Sequence, residues 1–326
     1  MIALDILFLV IGFVLLVKGA DYFVDGAAAL AKLFNIPTMV IGLTVIAFGT
    51  SAPELAVSLS AALAGSNAIA MGNVVGSNIM NFFLILGISA VITTIPATRK
   101  ILKRDYLISL VAAVSMLVLG AVGMRLGRAD GIVFLAAIIL YVIMLIKSAK
   151  SGKETVEVED IKSLPPLKCA LYIILGLSAV VGGGELVVKG AKNLALALGM
   201  TETFVALTVV AFGTSLPELV TSVIAARKGQ TDIALGNILG SNIFNLWMIL
   251  GVSAAVHPIV PTVEMIIQYK EPLFDLALLV IMSLILFVPL YKKEKFTRGT
   301  GVFMLVFYGC YFAFIMMRSY GIINLF

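Results

Sequence analysis

Residues 42–90 read GLTVIAFGTSAPELAVSLSAALAGSNAIAMGNVVGSNIMNFFLILGISA, and residues 206–254 read ALTVVAFGTSLPELVTSVIAARKGQTDIALGNILGSNIFNLWMILGVSA. The two segments are offset by 164 residues, and 29 of their 49 aligned positions are identical without a gap. Self-similarity over this length indicates a duplicated chain. The same offset extends upstream to glycines at heptad spacing: Gly12, Gly19 and Gly26 correspond to Gly176, Gly183 and Gly190.

The composition excludes a soluble domain. Of 326 residues, 61% are hydrophobic and 13% are charged, and the mean hydropathy is +1.12, whereas soluble domains are about half apolar and a quarter charged. Apolar runs of about 20 residues are long enough to cross a bilayer as helices. The first run has no basic leader and no small-residue cleavage site, so we interpret it as a retained helix. The runs predict ten spans near residues 3–24, 38–63, 68–94, 106–124, 130–147, 168–188, 202–226, 232–256, 273–291 and 299–318.

The ten spans divide into two copies of five. We predict a first half at residues 1–149, a linker at 150–166 with several acidic residues and a proline pair, and a second half at 167–326. Because each copy has an odd number of spans, the second copy must enter the membrane from the opposite side. The sequence therefore predicts an all-α polytopic membrane protein of two inverted-topology repeats, an architecture typical of secondary transporters.

Basic residues predict the orientation in the cell membrane. Of the 23 Lys and Arg residues, 17 sort to the membrane side that holds the connections after spans 1, 3, 5, 7 and 9. The positive-inside rule places these connections, with the 150–166 linker, in the cytoplasm and both termini outside. The clusters at Arg99–Arg104 and Lys292–Arg298 lie at predicted membrane edges, so we interpret them as topology signals and lipid headgroup contacts. We expect no nucleic-acid partner and no obligatory protein partner.

Two glutamates lie deep within apolar spans. Glu54 and Glu218 occupy equivalent repeat positions, in the segments GTSAPE and GTSLPE. A lone carboxylate at that depth costs several kcal/mol or must be protonated, which makes it a candidate functional group. In a continuous helix, hydroxyls three and four residues before each glutamate would lie on the same face as its carboxylate. These hydroxyls belong to Thr50 and Ser51 in the first copy and to Thr214 and Ser215 in the second.

The residues around the glutamates supply only oxygen ligands. Proline before each glutamate removes a helical hydrogen bond and frees a backbone carbonyl. The following span presents a hydroxyl and an amide four residues apart in each copy: Ser77 with Asn81, and Ser241 with Asn245. Carboxylate, hydroxyl, amide and carbonyl oxygens are ligands for hard cations, Ca²⁺ in particular. The same neutral oxygens could hold Na⁺, and competition for one ligand set suggests exchange.

Other residues have simpler interpretations. The single histidine, His257, and the two distant cysteines argue against a zinc site and a disulfide framework. Hydroxyls such as Thr44, Ser58 and Ser222 are expected to bond to their own helices. The heptad glycines of spans 1 and 6, called the glycine seams below, have two open interpretations. They are either sites of tight helix packing or a smooth surface that slides past the ion site. For the glycines of spans 3 and 8 we favour tight packing.

The paired motifs GTSAPE with GNVVGSNIMN and GTSLPE with GNILGSNIFN resemble those of the cation/Ca²⁺ exchanger superfamily, specifically its prokaryotic sodium/calcium exchangers. The resemblance implies Na⁺ exchanged for Ca²⁺ around a core of spans 2, 3, 7 and 8, with spans 1 and 6 sliding over it. It implies no cofactor beyond the transported ions. It further implies a ligand set of Glu54, Glu218, Thr50, Ser51, Thr214, Ser215, the carbonyls of Ala47 and Ala211, Ser77, Asn81, Ser241 and Asn245.

One position of this ligand set bears on ion selectivity. Relatives carry aspartate where this chain has Asn245, and in the potassium-dependent branch that acid is linked to K⁺ co-transport. The resemblance therefore implies K⁺ independence here. It leaves the stoichiometry open, because a candidate proton acceptor is missing.

Three rival functions follow from the same residues. Carboxylates can titrate, so the same scaffold could exchange H⁺ for Ca²⁺. An intramembrane hydrolase could use a glutamate as base, but the chain has no H-E-x-x-H motif, and we expect a transporter and not an enzyme. A passive Ca²⁺ channel could use similar oxygens, but it would need no counter-ion. For an exchanger, the expected mechanism is alternating access, in which a bound cation neutralises the glutamates and lets the glycine seams pass the site.

Overall fold

The computed structural model describes residues 2–150, 163–200, 211–260 and 266–323. They are almost entirely helical, because a chain in lipid must satisfy its backbone N–H and C=O groups within each segment. The helices are α1 (Ile2–Leu33), α2 (Thr38–Thr50), α3 (Ala52–Leu63), α4 (residues 67–92), α5 (Arg99–Met124), α6 (Arg128–Lys150), α7 (Pro166–Ala197), α8 (Ala211–Thr214), α9 (Leu216–Arg227), α10 (Thr231–Val256), α11 (Ile266–Lys293) and α12 (Arg298–Ser319).

The described residues contain eight helices long and apolar enough to cross a membrane, and the bent pair α2–α3 can supply a ninth span. The predicted span 202–226 is described only from residue 211, so the total of ten stays a prediction. The predicted linker 150–166 lies mostly outside the described residues. Helices α1 and α7 each end nine residues beyond the predicted limits of 24 and 188, because an apolar window marks the lipid-buried part of a helix and not its last hydrogen bond.

Both proline motifs interrupt a helix. Helices α2 and α3 meet at a 47° bend, where Ser51 has φ −81° and ψ 5°. Pro53 lies in the first turn of α3, a position that tolerates proline because its missing N–H has no partner to bond. In the second copy Ser215 has nearly the same backbone angles, φ −90° and ψ 7°, and Pro217 again lies in the first turn. The predicted interruption is therefore observed in both halves.

Wide helical turns lie at equivalent positions of the two repeats. Met80–Ile85 in α4 and Phe244–Ile249 in α10 are π-helical. Such turns are rare and occur often at functional sites, because the extra residue per turn redirects nearby side chains. Asn81 and Asn245 are the second residues of these two turns.

The glycine seams of α1 and α7 face each other. The two helices pack side by side. A Cβ atom added to Gly19 would lie 2.9 Å from the carbonyl oxygen of Gly176, and one added to Gly183 would lie 2.8 Å from that of Gly12. Only glycine allows backbones to approach this closely. The tight-packing interpretation is therefore confirmed. The seams line the α1–α7 contact in this structure, and the sliding of these helices past the ion site stays a prediction.

Helices α4 and α10 form the centre of the molecule. In their most apolar windows 72% and 83% of residues are buried, against 22% for α1. Close backbone contact packs α10 against α2: a Cβ on Gly236 would lie 2.8 Å from the Met39 carbonyl oxygen, and one on Gly240 would lie 2.8 Å from that of Leu43. The predicted packing role of these two glycines is confirmed. For Gly72 and Gly76 of α4 it stays a prediction, because the positions equivalent to Met39 and Leu43, 203 and 207, lie outside the described residues.

Short extended segments are also paired in equivalent places. Strands β1 (Ile95–Pro96) and β2 (Lys295–Phe296) are antiparallel, with Ile95 opposite Phe296, and a single bridge joins Leu126 to Ile259. Ile259 lies 164 residues after Ile95, and Phe296 lies 170 residues after Leu126. Each pair joins one half to the other, and the two pairs are equivalent when six additional residues are allowed in the second half, so the correspondence extends beyond the motif segments.

Candidate cation site

Glu54 and Glu218 each begin a helix that follows a break. Glu54 lies in the first turn of α3 and Glu218 in the first turn of α9. Both side chains are fully buried. The positive end of a helix dipole favours a carboxylate at this position by about 1 kcal/mol, which offsets only part of the cost of burying its charge. Each carboxylate therefore needs further donors or a cation.

The two repeats exchange serine hydrogen bonds. Ser215 of the second repeat donates its hydroxyl to Oε1 of Glu54 at 3.1 Å, and Ser51 of the first repeat donates to Oε1 of Glu218 at 3.3 Å. The expectation that Ser51 and Ser215 lie on the helical faces of their own glutamates is wrong. The helix breaks at these serines, and the non-helical backbone turns each hydroxyl toward the carboxylate of the other repeat.

Side chains of α4 and α10 extend this cluster. The Ser77 hydroxyl lies 3.2 Å from the Ser215 hydroxyl and 3.5 Å from Oε1 of Glu54. On the other side, the Thr50 hydroxyl lies 3.5 Å from the Ser241 hydroxyl and 3.4 Å from the carbonyl oxygen of Ala47. The structure therefore brings together most of the predicted set: Glu54, Glu218, Thr50, Ser51, Ser77, Ser215, Ser241 and the Ala47 carbonyl.

Several oxygens of the cluster are buried without a hydrogen-bond donor among the described residues. They include the second carboxylate oxygen of each glutamate. Buried acceptors in native proteins nearly always have a partner, because an unpaired one costs about 1–3 kcal/mol. Hard cations bind such oxygens directly, so the donor set suits a cation. The unpartnered oxygens are Oε2 of Glu54, Oε2 of Glu218, Oγ1 of Thr214, Oδ1 of Asn81 and Oδ1 of Asn245.

The two predicted asparagines differ in their contacts. Asn245 donates its amide to Oδ1 of Asn78 at 3.0 Å, whereas neither amide atom of Asn81 has a partner among the described residues. The structure joins neither of them to a glutamate by a hydrogen bond. Ala211 is the first residue described after the 201–210 gap, and no contact of its carbonyl to the cluster is seen.

Sequence reasoning missed a second pair of asparagines. Asn237 accepts from the Thr50 hydroxyl at 3.1 Å and donates to Ser222 at 2.9 Å, and Asn73 donates to Ser58 at 2.9 Å. Ser58 and Ser222 thus accept bonds from a neighbouring helix, contrary to expectation. Thr44 bonds the Val40 carbonyl of its own helix, as predicted. The sequence offered one sign of this pair, which is spacing: Asn73 and Asn237 precede Ser77 and Ser241 by four residues.

A third asparagine pair joins the two central helices. Asn78 donates to the carbonyl oxygen of Asn242 at 3.1 Å, and Asn242 donates to that of Asn78 at 3.4 Å. These are again equivalent residues of the two repeats. The central helices are therefore joined to each other by polar contacts that an apolar core would not supply.

The fold and this site define a helical, multi-pass membrane protein with a buried cluster of oxygen ligands at its centre. Comparisons with known proteins agree with that class. The family model described as "Sodium/calcium exchanger protein" matches residues 4–147 and 168–317. The chain therefore belongs to the sodium/calcium exchanger family, and it is a cation/Ca²⁺ exchanger of the antiporter type.

Individual relatives cover most of the chain. The sodium/calcium exchanger MaX1 of Methanosarcina acetivorans is 33% identical and is aligned over 98% of this chain and 100% of its own. The inner membrane protein YrbG of Escherichia coli is 37% identical over 77% of this chain and 79% of its own. A solved structure of the sodium-calcium exchanger NCX_Mj superimposes with a TM-score of 0.83 at 33% identity, over 97% of this chain and 100% of that one.

Proposed function

We propose that this chain exchanges Na⁺ for Ca²⁺ by alternating access around a midplane site built on Glu54 and Glu218. The observation that carries the proposal is the crossed pair of hydrogen bonds, in which Ser51 donates to Glu218 and Ser215 donates to Glu54. Two carboxylates held by opposite repeats carry the charge that one Ca²⁺ neutralises. Their free Oε2 atoms are suited to bind the ion directly.

The remaining oxygens of the cluster are proposed to complete the coordination shell of the ion. Ca²⁺ takes about six to eight oxygens, more than two carboxylates supply, so hydroxyl, amide and carbonyl oxygens complete the shell and are shared with Na⁺. The membership of the sodium/calcium exchanger family and the buried oxygens without a donor support this assignment. The proposed ligands beyond the glutamates are Thr50, Ser51, Thr214, Ser215, Ala47, Ala211, Ser77, Asn81, Ser241 and Asn245.

The proposed architecture is ten spans in two inverted repeats, with halves at 1–149 and 167–326 and a cytoplasmic linker at 150–166. Support comes from contacts that recur at equivalent positions. A Cβ on Gly131 would lie 2.7 Å from the Gly251 carbonyl oxygen, and one on Gly301 would lie 2.7 Å from that of Gly87. The basic-residue bias supports a cell-membrane location with both termini outside.

In the proposed cycle, α1 and α7 move over the core as one unit. Their shared glycine seam favours joint movement, because separating the helices would open a tightly packed contact. The unit touches the core near the breaks: a Cβ on Gly49 would lie 2.9 Å from Leu177 of α7, and Gly184 of α7 lies beside Pro217. A bound cation neutralises the carboxylates, so that apolar side chains of the unit can pass over them, whereas an empty site with two charges resists this movement.

The ion requirement of uptake tests the coupling. In proteoliposomes loaded with Na⁺, we expect ⁴⁵Ca²⁺ uptake that disappears when choline replaces internal Na⁺ and that K⁺ does not change. Because the proposed site crosses the membrane only with a cation bound, net Ca²⁺ uptake requires Na⁺ to leave on the return step. Uptake driven by a proton gradient without Na⁺ would reassign the coupling ion to H⁺. Uptake indifferent to every counter-ion would indicate a channel and overturn the proposal.

Replacing Asn237 tests whether the residue that bonds Thr50 contributes to ion binding. In Asn237→Ala the Ser222 hydroxyl loses the amide that donates to it and Thr50 loses the shortest of its contacts, at a cost of about 1–3 kcal/mol. We expect the apparent affinity for Ca²⁺ to fall about tenfold, with a smaller change in the maximal uptake rate. Asn193→Ala is the matched control, because Asn193 bonds Asp5 at the α1–α7 contact. Equal effects of the two substitutions would contradict a role of Asn237 at the site.

A further inference from the structure

An apolar groove lies between the ends of α11 and α12. It has a volume of about 320 Å³ and is open along one side. Helix α11 packs against the first part of α4 and against α5, whereas α12 packs against the second part of α4. Two residues add room: Pro289 interrupts the hydrogen bonding of α11, and Gly299 of α12 has no side chain.

The walls of the groove face the membrane. Ile285 of α11 and Phe303 of α12 line it and are 55% and 46% exposed. Ile285 lies eight residues before Lys293, so the apolar part reaches about 12 Å from the helix end. Exposed apolar walls on a spanning helix contact acyl chains, and a groove of this depth can hold part of one chain.

The mouth of the groove is basic. Lys293 and Lys295 line it, and within the described parts of the chain neither forms an ion pair. The intervening acid, Glu294, is bound by Arg99, whose Nε lies 2.8 Å from Oε1. The β1–β2 pairing brings Arg99 to this edge, and Lys103 lies 5.6 Å from the ring centre of Tyr291. The mouth thus carries unneutralised positive charge.

The opposite edge of the molecule lacks this charge pattern. The residues 170 positions earlier, which are equivalent by the strand pairing, are Gly123 and Arg125 in place of Lys293 and Lys295, and Ala129 in place of Gly299. The second repeat therefore carries two lysines and a glycine where the first carries a glycine, one arginine and an alanine. Duplication alone does not explain the difference, because the surrounding contacts are kept in both copies.

We propose that this groove binds one anionic glycerophospholipid, with an acyl chain between α11 and α12 and the phosphate between Lys293 and Lys295. Basic pockets between spanning helices recognise anionic headgroups, with each lysine adding to the attraction. The apolar walls favour a lipid over a free phosphate, because a free phosphate would contact only the lysines at the mouth.

Native mass spectrometry of the purified protein tests the site. With phosphatidylglycerol and phosphatidylcholine of identical chains, we expect the wild-type chain to retain one phosphatidylglycerol more tightly. Lys293→Gln/Lys295→Gln should weaken phosphatidylglycerol binding about 30-fold and leave phosphatidylcholine binding unchanged, which also shows that the variant is folded. Gly299→Phe fills the groove without changing charge, and it should weaken binding of both lipids.

The control variant is Lys147→Gln/Lys150→Gln, which removes two exposed lysines from α6, on the same predicted membrane side. It should bind phosphatidylglycerol like the wild type, and sn-glycerol 3-phosphate should not displace the lipid. Equal retention of both lipids by the wild type would overturn the proposal. Loss of phosphatidylglycerol in the control variant, or displacement by glycerol phosphate at equal concentration, would overturn it as well.

Discussion

Glu54→Gln and Glu218→Gln should each reduce Na⁺-dependent Ca²⁺ uptake by about 100-fold or more, because removing one charged partner from a buried ionic site costs about 3–5 kcal/mol. Glutamine keeps the size of the side chain and one carbonyl oxygen, but it halves the negative charge available to a divalent ion. Both positions should be affected alike, since the crossed serine bonds give them equivalent surroundings.

The same substitutions should stabilise the ion-free protein. Two buried carboxylates repel each other and are poorly solvated, so a neutral amide removes an unfavourable charge. We expect the thermal unfolding temperature in chelator to rise in each variant, while the increase that Ca²⁺ gives to the wild type should be lost. This pair of results separates loss of the site from loss of the fold.

Glu294→Gln is the matched control, because Glu294 pairs with Arg99 at an exposed edge. Its uptake and its stabilisation by Ca²⁺ should match the wild type. Near-normal uptake by Glu54→Gln or Glu218→Gln would contradict the ligand role of that residue. An unchanged Ca²⁺-dependent stabilisation would contradict it independently of transport.

The repeat explains why so much of the site could be predicted. Glu54 and Glu218 were identifiable because a carboxylate inside an apolar run is costly, and because the chain keeps it twice with the same neighbours. The helix breaks at Ser51 and Ser215 also followed from local chemistry, since proline two residues later cannot donate its N–H. These inferences needed only the sequence around each motif.

The partner of each serine could not be predicted in the same way. Helical spacing assigns Ser51 to Glu54, three residues on, but the structure assigns it to Glu218. That choice depends on how the two repeats pack, which no local pattern encodes. The amide network has the same origin, because the Asn78–Asn242 bonds exist only once α4 and α10 lie against each other.

The packing partner of the glycine seams could not be predicted from the sequence either. Heptad glycines predicted a smooth surface on α1 and α7 but did not identify which helix it meets. The structure places the two seams against each other, which changes the proposed movement from two sliding helices to one paired unit. The stability of that pair can be measured directly.

Gly176→Leu should severely destabilise the protein. A Cβ at this position would lie 2.7 Å from the backbone nitrogen of Phe23 and 2.8 Å from the carbonyl oxygen of Gly19. Both atoms belong to the backbone of α1, so no side-chain rotation relieves the contact and the helices must separate. Overpacking of this kind costs about 3 kcal/mol or more. We expect a thermal unfolding temperature several degrees below that of the wild type, a low yield of monodisperse protein and little Ca²⁺ uptake.

Gly182→Leu provides the comparison within the same helix. A Cβ on Gly182 meets no described atom within 4 Å, and replacing glycine by leucine gives both variants the same gain in helix propensity. The difference between them therefore measures the α1–α7 contact alone. If the two variants unfolded at the same temperature, the seam would not be tightly packed, and α1 and α7 could slide separately. A large deficit confined to Gly176→Leu means that parting the helices is too costly to be a step of transport, so that they must cross the core together.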